Sequence, residues 1–202
     1  MPLLLLLSLA SDADEIGGAA ALGVTLRQLR TSAGITQREL AARQGLHRNY
    51  LGALERGTVA NPGLATANRL AHALGVSVSV LAESFVRSVP TAGAHVAGRL
   101  PDATSAPGRE PSAEALGRAL RLLRRRRELT RAVLAERTGM HKNYIGSLEE
   151  GAIASPGLLT VTRLVIGLQH DATADLATLA SSVGLLARVF AGEQVQSRAL
   201  AA

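Results

Sequence analysis

Residues 45–57 are Gly-Leu-His-Arg-Asn-Tyr-Leu-Gly-Ala-Leu-Glu-Arg-Gly, and residues 139–151 are Gly-Met-His-Lys-Asn-Tyr-Ile-Gly-Ser-Leu-Glu-Glu-Gly. The two stretches are related by a constant shift of 94 positions (141 − 47). The match runs without a gap over 22–74 and 116–168, and about half of its positions are identical. The chain therefore carries one module twice. Because small polar residues that no core would demand are also kept, those residues point to the function.

The composition fits two small domains. At 202 residues the length allows one or two domains, and the repeat decides for two of about 65 residues each. There is no cysteine, which excludes disulfide frameworks and thiolate metal sites and fits a reducing cytoplasm. The net charge of +6 points toward a phosphate-bearing partner. A GC-rich genome that often encodes Arg explains the charge, taken alone, equally well.

Composition and pattern divide the chain into five segments. The stretch between the repeats is rich in Ala, Gly, Pro, Ser and Thr, so it is predicted to be a flexible linker with a reach of about 25 to 30 Å that leaves the orientation of the modules unfixed. The predicted segments are an N-terminal appendage (1–19), domain one (20–86), the linker (87–111), domain two with an extended last helix (112–190) and a C-terminal tail (191–202).

The N-terminal apolar run, Leu3 to Leu7, faintly resembles a signal peptide. It has no Lys or Arg before it and is shorter than a membrane-spanning helix requires. We interpret it as a frayed or hydrophobic appendage and expect a cytoplasmic protein without a membrane span; secretion is the lesser alternative.

The middle of each repeat predicts two short helices joined by a tight turn. Thr36 and Glu39 have the spacing of a capping box that begins a short helix, and Gly45 ends it. A further helix follows over about 47–56, with Leu residues facing inward and Arg and Asn facing outward. Such a helix is narrow enough to enter the major groove of DNA.

Three more helices complete each module. Leu22 begins an apolar stripe on a first helix that ends near Ala33. Asn61-Pro62 is predicted to start a fourth helix, with Asn as its N-cap and Pro at its first position. A fifth helix is predicted to begin near Ser77 and to end around Phe85. Each module is therefore predicted to contain five short helices.

These motifs resemble the Cro/repressor-like (XRE) helix-turn-helix family. The residues that carry the resemblance are Thr36-Gln-Arg-Glu-Leu-Ala41, Gly45, Leu-Glu-Arg-Gly at 54–57, Asn61-Pro62 and Arg-Leu-Ala-His-Ala-Leu-Gly at 69–75. The resemblance implies an all-α chain of two tandem, five-helix, lambda-repressor-like domains joined by a flexible linker. It also implies sequence-specific binding of double-stranded DNA, usually in transcriptional regulation.

The resemblance assigns recognition helices to 47–56 and 141–150 and gives roles to individual positions. Asn can bond adenine and Arg can bond guanine through two edges. The positions expected to read bases are His47, Arg48, Asn49, Gly52, Ala53, His141, Lys142, Asn143, Gly146 and Ser147. The positions expected to contact phosphate are Gln37, Arg38, Arg56 and Arg131. Because His, Asn, Tyr and Gly are shared, the two modules are expected to prefer similar half-sites.

Other polar residues of the motif have a structural explanation. By alignment with the family, Arg30 with Glu55 and Arg124 with Glu149 are expected to form partly buried ion pairs. His47 and His141 are predicted to be helix N-caps, and we expect helix capping and contact with DNA to be equally plausible roles for them. The two Tyr side chains of the recognition helices are expected to pack against the core rather than to touch phosphate.

Repeat two departs from the pattern at three positions. Glu128 replaces Gly34, Val133 removes the capping-box Glu, and Glu150 replaces Arg56. DNA binding by the second module is therefore less certain than its fold. The alternative function is a protein-interaction or antitoxin-like module, in which one domain, with the second favoured, no longer binds DNA.

The apolar residues near the C-terminus step at intervals of three and four over 176–190, which is the period of a helix–helix seam. This helix either closes the core of domain two or pairs chains, so a homodimer and an intramolecular pairing of the two domains are both open. The sequence contains no paired carboxylates, no nucleophile with its base and no Gly-rich phosphate loop. We therefore expect no enzyme activity, no cofactor and no metal site.

Overall fold

A computed structural model of the chain describes residues 3–87, 112–169 and 176–192, with side chains described from residue 17 onward. The regular secondary structure in these ranges is α-helical, apart from one isolated backbone bridge. The helices of the first repeat are α1 (Leu3–Ser32), α2 (Gln37–Arg43), α3 (Arg48–Glu55), α4 (Leu64–Ala73) and α5 (Val78–Val86). Those of the second are α6 (Ala113–Arg126), α7 (Arg131–Thr138), α8 (Lys142–Glu149), α9 (Leu158–Leu168) and α10 (Leu176–Phe190). The predicted all-α architecture is confirmed, with five helices in each repeat.

Two predicted segments fall largely outside the described residues: the linker beyond Arg87 and the tail beyond Gly192. At the other end, α1 begins at Leu3. The backbone that we expected to form an appendage before residue 20 is thus continuous with the first helix of domain one.

Each domain is held together by leucines whose spacing places them on the inner faces of the helices. Burying one such side chain contributes about 1.5 to 3 kcal/mol. The largest fully buried side chains are Leu22, Leu26, Leu40, Leu51, Leu54, Leu64, Leu70, Leu81 and Phe85 in domain one, and Leu116, Ile145 and Phe190 in domain two. They belong to one continuous cluster that runs through both domains.

The predicted capping box forms at the start of α2. The backbone N–H of Glu39 donates to Thr36 Oγ1 at 3.2 Å, and the backbone N–H of Thr36 donates to Glu39 Oε2 at 2.8 Å. The hydrogen bonds from the side chain and backbone of Thr36 lower the pKa of Glu39. Domain two keeps only half of this arrangement: Thr130 accepts from the backbone N–H of Val133, which has no carboxylate to return the bond. Both helices nevertheless begin at equivalent positions.

The first helix of each domain crosses the end of the third at a glycine. A Cβ on Gly23 would lie 2.7 Å from the backbone oxygens of Leu54 and Glu55, closer than real Cβ atoms approach. A Cβ on Gly117 would lie 2.5 Å from the backbone oxygen of Leu148. The absence of a side chain therefore lets the helix backbones touch, which fixes the end of α3 on α1 and that of α8 on α6.

A left-handed backbone residue follows the first helix in both domains. Gly34 has φ +69°, and Glu128 has φ +54° at the equivalent position. An L-residue with a side chain loses roughly 1 to 2 kcal/mol in this conformation, whereas glycine adopts it freely. Domain two keeps the backbone shape of domain one here at the expense of strain at Glu128.

We expect Glu128→Gly to stabilise the protein by about 0.5 to 1 kcal/mol, because relief of the strain exceeds the added flexibility of the unfolded chain. The reverse change at the equivalent site, Gly34→Ala, should cost about 1 kcal/mol. No heavy atom lies within 4 Å of the added Cβ in that variant, so its effect isolates the backbone. Urea unfolding of the three proteins measures both changes, and an unchanged midpoint in Glu128→Gly would contradict the assignment of strain.

The two domains meet at equivalent positions. Gly63 and Gly157, which differ by the repeat shift of 94, form an antiparallel bridge. The backbone N–H of Leu64 donates to the oxygen of Pro156 at 2.7 Å, and that of Leu158 donates to the oxygen of Pro62 at 2.8 Å. Reciprocal contacts between equivalent residues are the signature of a two-fold axis. The repeats are therefore related by a pseudo-two-fold axis between the two glycines.

Asn61 does not cap its own helix, so that prediction was wrong. The N-cap of α4 is Gly63, which makes no side-chain cap bond. Asn61 Oδ1 accepts instead from the backbone N–H of Leu159, in the first turn of α9, at 3.0 Å. Its Nδ2 donates to Thr160 Oγ1 at 3.1 Å. The side chain thus caps a helix of the other domain, because the bridge at the axis brings α9 within its reach.

Helices α5 and α10 form the largest further part of the interface between the domains, and α5 also contacts α9. The seam residues of α10 are buried at Leu179, Val183, Leu186 and Phe190, and Ala180, Gly184 and Ala187 widen the buried face. One side of α10 closes domain two against α6 and α9, and the other packs on α5. The expectation that the orientation of the modules is unfixed was wrong, because each domain exposes an apolar helix face that the other covers. Of the two pairings left open, the structure shows the intramolecular one.

Asn61→Ala should destabilise the protein by about 1 kcal/mol, the usual cost of losing a helix N-cap. Ser155 is the equivalent residue of the second repeat, and Ser155→Ala serves as the matched control with a change within about 0.5 kcal/mol. Thermal unfolding of both variants measures the difference. Equal effects would show that the cross-domain cap contributes nothing of its own.

Candidate nucleic-acid interface

The N-terminal turns of α3 and α8 present the same exposed side chains on the two domains. His47, Arg48 and Asn49 are exposed on the first. Their equivalents His141, Lys142 and Asn143 are exposed on the second. Within the described residues, no side-chain hydrogen bond or ion pair engages Arg48 or Asn49. These groups are therefore available to a partner outside the chain.

Both histidines cap the helix that they precede. His47 Nδ1 accepts from the backbone N–H of Asn49 at 3.2 Å, and His141 Nδ1 accepts from that of Asn143 at 3.3 Å. A ring nitrogen that accepts a hydrogen bond carries no proton, so in the neutral ring the proton is on Nε2. Capping and an outside contact are thus compatible: one ring nitrogen caps the helix while the exposed ring offers a donor.

The second turn of α3 and of α8, the helices expected to read bases, is less open than predicted. Gly52 and Gly146, predicted to face bases, are buried. The Nη1 atom of Arg56 lies 3.1 Å from where a Cβ of Gly52 would be, and the Nη1 atom of Arg131 lies 3.2 Å from the equivalent point on Gly146. An arginine therefore covers each glycine. Their neighbours, Ala53 and Ser147, are half-exposed.

The residues expected to contact phosphate occupy different environments. Arg38 and Arg56 are exposed. Gln37 is half-buried, and its Nε2 donates to Glu55 Oε2 at 2.8 Å. Arg131 forms ion pairs with carboxylates of α8 and its C-cap. The structure brings all four beside the recognition helices, but commits Gln37 and Arg131 to partners within the chain.

A buried carboxylate ties α3 to the two preceding helices. Glu55 is 7% exposed. Arg30 donates to it through Nε at 2.5 Å and through Nη2 at 3.0 Å, while its Nη1 donates to the backbone oxygen of Ile35 at 2.8 Å. This two-bonded geometry is the strongest arrangement that Arg makes with a carboxylate. Together with Gln37 from α2, it fixes the end of α3 against α1.

Domain two contains the same arrangement. Arg124 donates to Glu149 through Nε at 2.5 Å and through Nη2 at 3.0 Å, and through Nη1 to the backbone oxygen of Leu129 at 2.7 Å. Glu149 is 4% exposed. Arg131 takes the place of Gln37, with its Nε 2.9 Å from Glu149 Oε2. Both ion pairs suggested by the alignment are present in the structure.

These geometries set the ionisation of both carboxyls. Burial alone would raise the pKa of Glu55, but hydrogen bonds from Arg30 and Gln37 outweigh it and lower the pKa below the ordinary value of 4.5. Burial likewise opposes ionisation of Glu149, and hydrogen bonds from Arg124 and Arg131 lower its pKa. A carboxyl whose folded pKa is depressed stabilises the fold above its unfolded pKa, and this stabilisation is lost as the pH falls through the folded value.

Comparisons with known proteins match both domains separately. A family model described as helix-turn-helix matches residues 26–81, and one described as helix-turn-helix domain matches residues 115–179. An uncharacterized HTH-type transcriptional regulator y4dJ of Sinorhizobium fredii is 46% identical over 56 residues, which are 28% of this chain and 71% of that protein. The chain belongs to the helix-turn-helix family. Its two domains are the tandem copies that the XRE resemblance predicted.

A solved structure, that of an HTH_3 family transcriptional regulator from Vibrio cholerae, is 28% identical to this helix-turn-helix protein. The match has a TM-score of 0.31 and covers 33% of this chain. It spans 37% of the other protein, so just over a third of that relative's length is represented here.

Sequence reasoning missed three residues near the helix-turn-helix motif. Arg27 and Arg121 are the outer members of the carboxylate clusters, at 3.9 Å from Glu55 Oε2 and 3.6 Å from Glu149 Oε2. They are identical across the 94-residue shift, which was a signal for both. Tyr144 was expected to pack, but it is 38% exposed, whereas Tyr50 is half-buried against the core. An exposed Tyr adds a hydroxyl and a ring to the surface of α8.

Membrane-spanning helices and metal clusters are both missing from the described part of the helix-turn-helix protein. No helix there is both long and apolar enough to cross a membrane. In the same ranges, no group of three or more His, Asp or Glu side chains is arranged so that it could hold a metal ion.

We expect Glu55→Gln to cost about 3 kcal/mol at neutral pH, because it leaves the Arg30 guanidinium without its buried counter-charge. Glu149→Gln should act similarly through Arg124. In both variants the loss of stability below pH 4.5 should be smaller than in the wild type, because a titrating group with a depressed pKa has been removed.

Chemical unfolding at pH values from 3 to 7 measures both effects. The matched control is Glu83→Gln, which removes a half-buried surface carboxylate whose ion pair with the exposed Arg87 is worth at most about 1 kcal/mol. If the Glu55 and Glu149 variants keep the acid sensitivity of the wild type, these carboxyls are not its source.

Proposed function

We propose that this protein is a sequence-specific regulator of transcription that binds double-stranded DNA in the cytoplasm, with α3 and α8 in the major groove. The observation that carries this proposal is the repeated exposed surface at the start of both helices. His and Asn are kept at equivalent positions there, and Arg48 is matched by Lys142. We propose no catalytic role and no cofactor.

The mounting of these helices supports a role in reading bases. Each ends in a buried carboxylate bonded to an arginine of the first helix, so its C-terminal end is fixed. Its N-terminal turn carries cations and amides that can bond base edges. A helix that is anchored at one end and chemically available at the other meets the requirement for groove recognition, because base discrimination depends on placing donors and acceptors accurately.

The pseudo-two-fold axis of the protein suggests the symmetry of the DNA sequence that it binds. The axis passes between Gly63 and Gly157, and it relates α3 to α8. Duplex DNA has local two-fold axes perpendicular to its length, so protein helices related in this way read half-sites that are inverted with respect to each other. Such half-sites lie about 34 to 36 Å apart when they face one side of the duplex. We therefore propose one bipartite, inverted site for each chain.

The half-sites are expected to be similar but not identical. Asn49 and Asn143 are equivalent and can each bond adenine through two edges. Arg48 presents a planar fork that fits guanine, whereas Lys142 presents a single ammonium group. Ala53 is replaced by Ser147, which adds a hydroxyl. The site should therefore be an imperfect inverted repeat.

The contact between the two domains of one chain occupies the surface that a homodimer through α10 would use. The buried face of α10 is occupied by α5 of the same molecule. A homodimer through that face would require the domains to separate first. We propose that one chain suffices to occupy both half-sites, and that the linker keeps the second domain at high local concentration whenever the interface opens.

A protein-interaction role for domain two is the second candidate. The observation in its favour is Glu150, whose side chain is 59% exposed and carries a negative charge where domain one has Arg56. A carboxylate beside a groove-reading helix weakens contact with phosphate and suits a basic protein surface.

The test is selection of bound duplexes from a random pool by the full chain at moderate salt. We expect an imperfect inverted repeat with one fixed spacing. Arg48→Ala and Lys142→Ala should each weaken binding and relax the base preference within one half-site, by about 1 to 3 kcal/mol of discrimination. Mobility shifts with the selected duplex and with substituted half-sites measure both effects.

Arg118→Ala is the control for loss of charge alone, because Arg118 is 71% exposed and pairs with Glu114 on α6. It should leave the base preference unchanged. If Arg48→Ala weakens binding but Lys142→Ala does not, domain two is the protein-interaction module of the second candidate. If neither matters, or direct repeats emerge, the proposed mode of recognition is wrong.

A further inference from the structure

Two positions beside the recognition helices are exchanged between the domains in a reciprocal way. The first residue of the second helix is Gln37 in domain one and Arg131 in domain two. The C-cap of the third helix is Arg56 in domain one and Glu150 in domain two. Each domain therefore has one arginine in this pair of positions, but it comes from a different helix.

The guanidiniums of Arg56 and Arg131 lie at equivalent positions, each over the glycine in the second turn of α3 or α8. In domain one, Arg56 Nη1 lies 3.1 Å from the position of a Cβ on Gly52, while Gln37 bonds the buried carboxylate. In domain two, Arg131 bonds the buried carboxylate itself, and its Nη1 lies 3.2 Å from the position of a Cβ on Gly146. A side chain at either glycine would crowd the guanidinium, which would have to shift by a few tenths of an ångström.

The exchange makes the net charge beside the third helix different in the two domains. In domain one, Arg27 and Arg30 lie 3.9 Å and 2.5 Å from Glu55, and the guanidinium of Arg56 lies over Gly52, so these three guanidiniums and one carboxylate have a net charge of +2. The cluster around Glu149 also has three guanidiniums, those of Arg121, Arg124 and Arg131, but Glu150 Oε1 lies 3.3 Å from Arg131 Nη2. That second carboxylate reduces the net charge to +1. Domain two is thus one unit less positive beside the groove-reading helix.

We propose that the guanidinium over the glycine is a phosphate contact in both domains and that Glu150 makes domain two the weaker half of the DNA-binding surface. This inference rests on the proposed function. Glu149 already holds Arg131 through Nε at 2.9 Å, whereas the bond to Glu150 is longer and Glu150 is exposed. Glu150 therefore acts mainly through its charge, which offsets the cation that phosphate would meet. Domain one therefore binds its half-site with higher affinity than domain two binds the other half-site.

The experiment uses the full chain and three forms of its selected duplex: intact, with the half-site of domain two scrambled, and with that of domain one scrambled. Binding is measured over a fourfold range of salt concentration. Each phosphate contact contributes about 0.9 to the slope of log K against log salt, a three- to fourfold change in affinity over that range. We expect the slope for the half-site of domain two to be smaller by about this amount.

Three variants separate the exchanged residues. Arg131→Gln should weaken the half-site of domain two, because it removes the guanidinium and leaves Glu150 facing phosphate. Arg131→Gln combined with Glu150→Arg rebuilds the arrangement of domain one, and it should bind that half-site more tightly than the wild type with a slope larger by about 0.9. The mirror variant, Gln37→Arg with Arg56→Glu, should reduce the slope for the half-site of domain one by the same amount. Unfolding midpoints of all variants check that the fold is kept.

The outcomes distinguish this inference from the function on which it rests. If the wild-type chain selects no duplex, the proposed function fails and the inference fails with it. If the chain binds its duplex but the double variant at 131 and 150 binds no better than Arg131→Gln, the reciprocal exchange is refuted and the function stands. Equal slopes for the two wild-type half-sites would refute the inequality of the domains.

Discussion

A buried carboxylate at the C-terminal end of α3 and of α8 is the constraint on which the rest of this structure depends. Glu55 and Glu149 are almost wholly removed from water, and an unpaired buried charge would cost several kcal/mol. Each is stable only if an arginine of the first helix reaches it. The first helix must then cross the end of the third closely, which the glycines at 23 and 117 allow. Satisfying one charge thereby fixes the helix that faces outward.

The second constraint is the exposed apolar face that each domain would have by itself. A five-helix domain of this size buries a modest core, and its last helix remains partly apolar on the outside. In this chain α5 and α10 cover each other, and the backbone bridge at Gly63 and Gly157 sets their alignment. The repeat within the sequence thus becomes a pseudo-two-fold symmetry in space, which is also the symmetry of a duplex.

Within that shared frame the two domains are not equivalent. The polar residues beside α3 and α8 differ by a reciprocal exchange, and one of them, Glu150, adds a negative charge. The strained backbone of Glu128 and the half capping box at Thr130 show the same tendency: domain two keeps the geometry of domain one with less favourable residues. Such changes leave the fold intact because the bond between the first-helix arginine and the buried carboxylate, and the buried apolar character of the core, are kept in both domains.

The sequence by itself determined the number and order of the helices in each repeat and the capping box at Thr36, because these depend on short-range spacing, and its resemblance to the family indicated the partners of the ion pairs. Only the tertiary structure decided what Asn61 and the glycines of the recognition helices do. Asn61 caps α9 of the other domain, and Gly52 lies beneath Arg56, so both roles depend on atoms distant in the sequence or on side-chain paths that spacing does not specify. The tertiary structure also decided the two-fold pairing of the domains. The sequence of an apolar helix face indicates that the face must be buried, but it does not indicate which helix buries it.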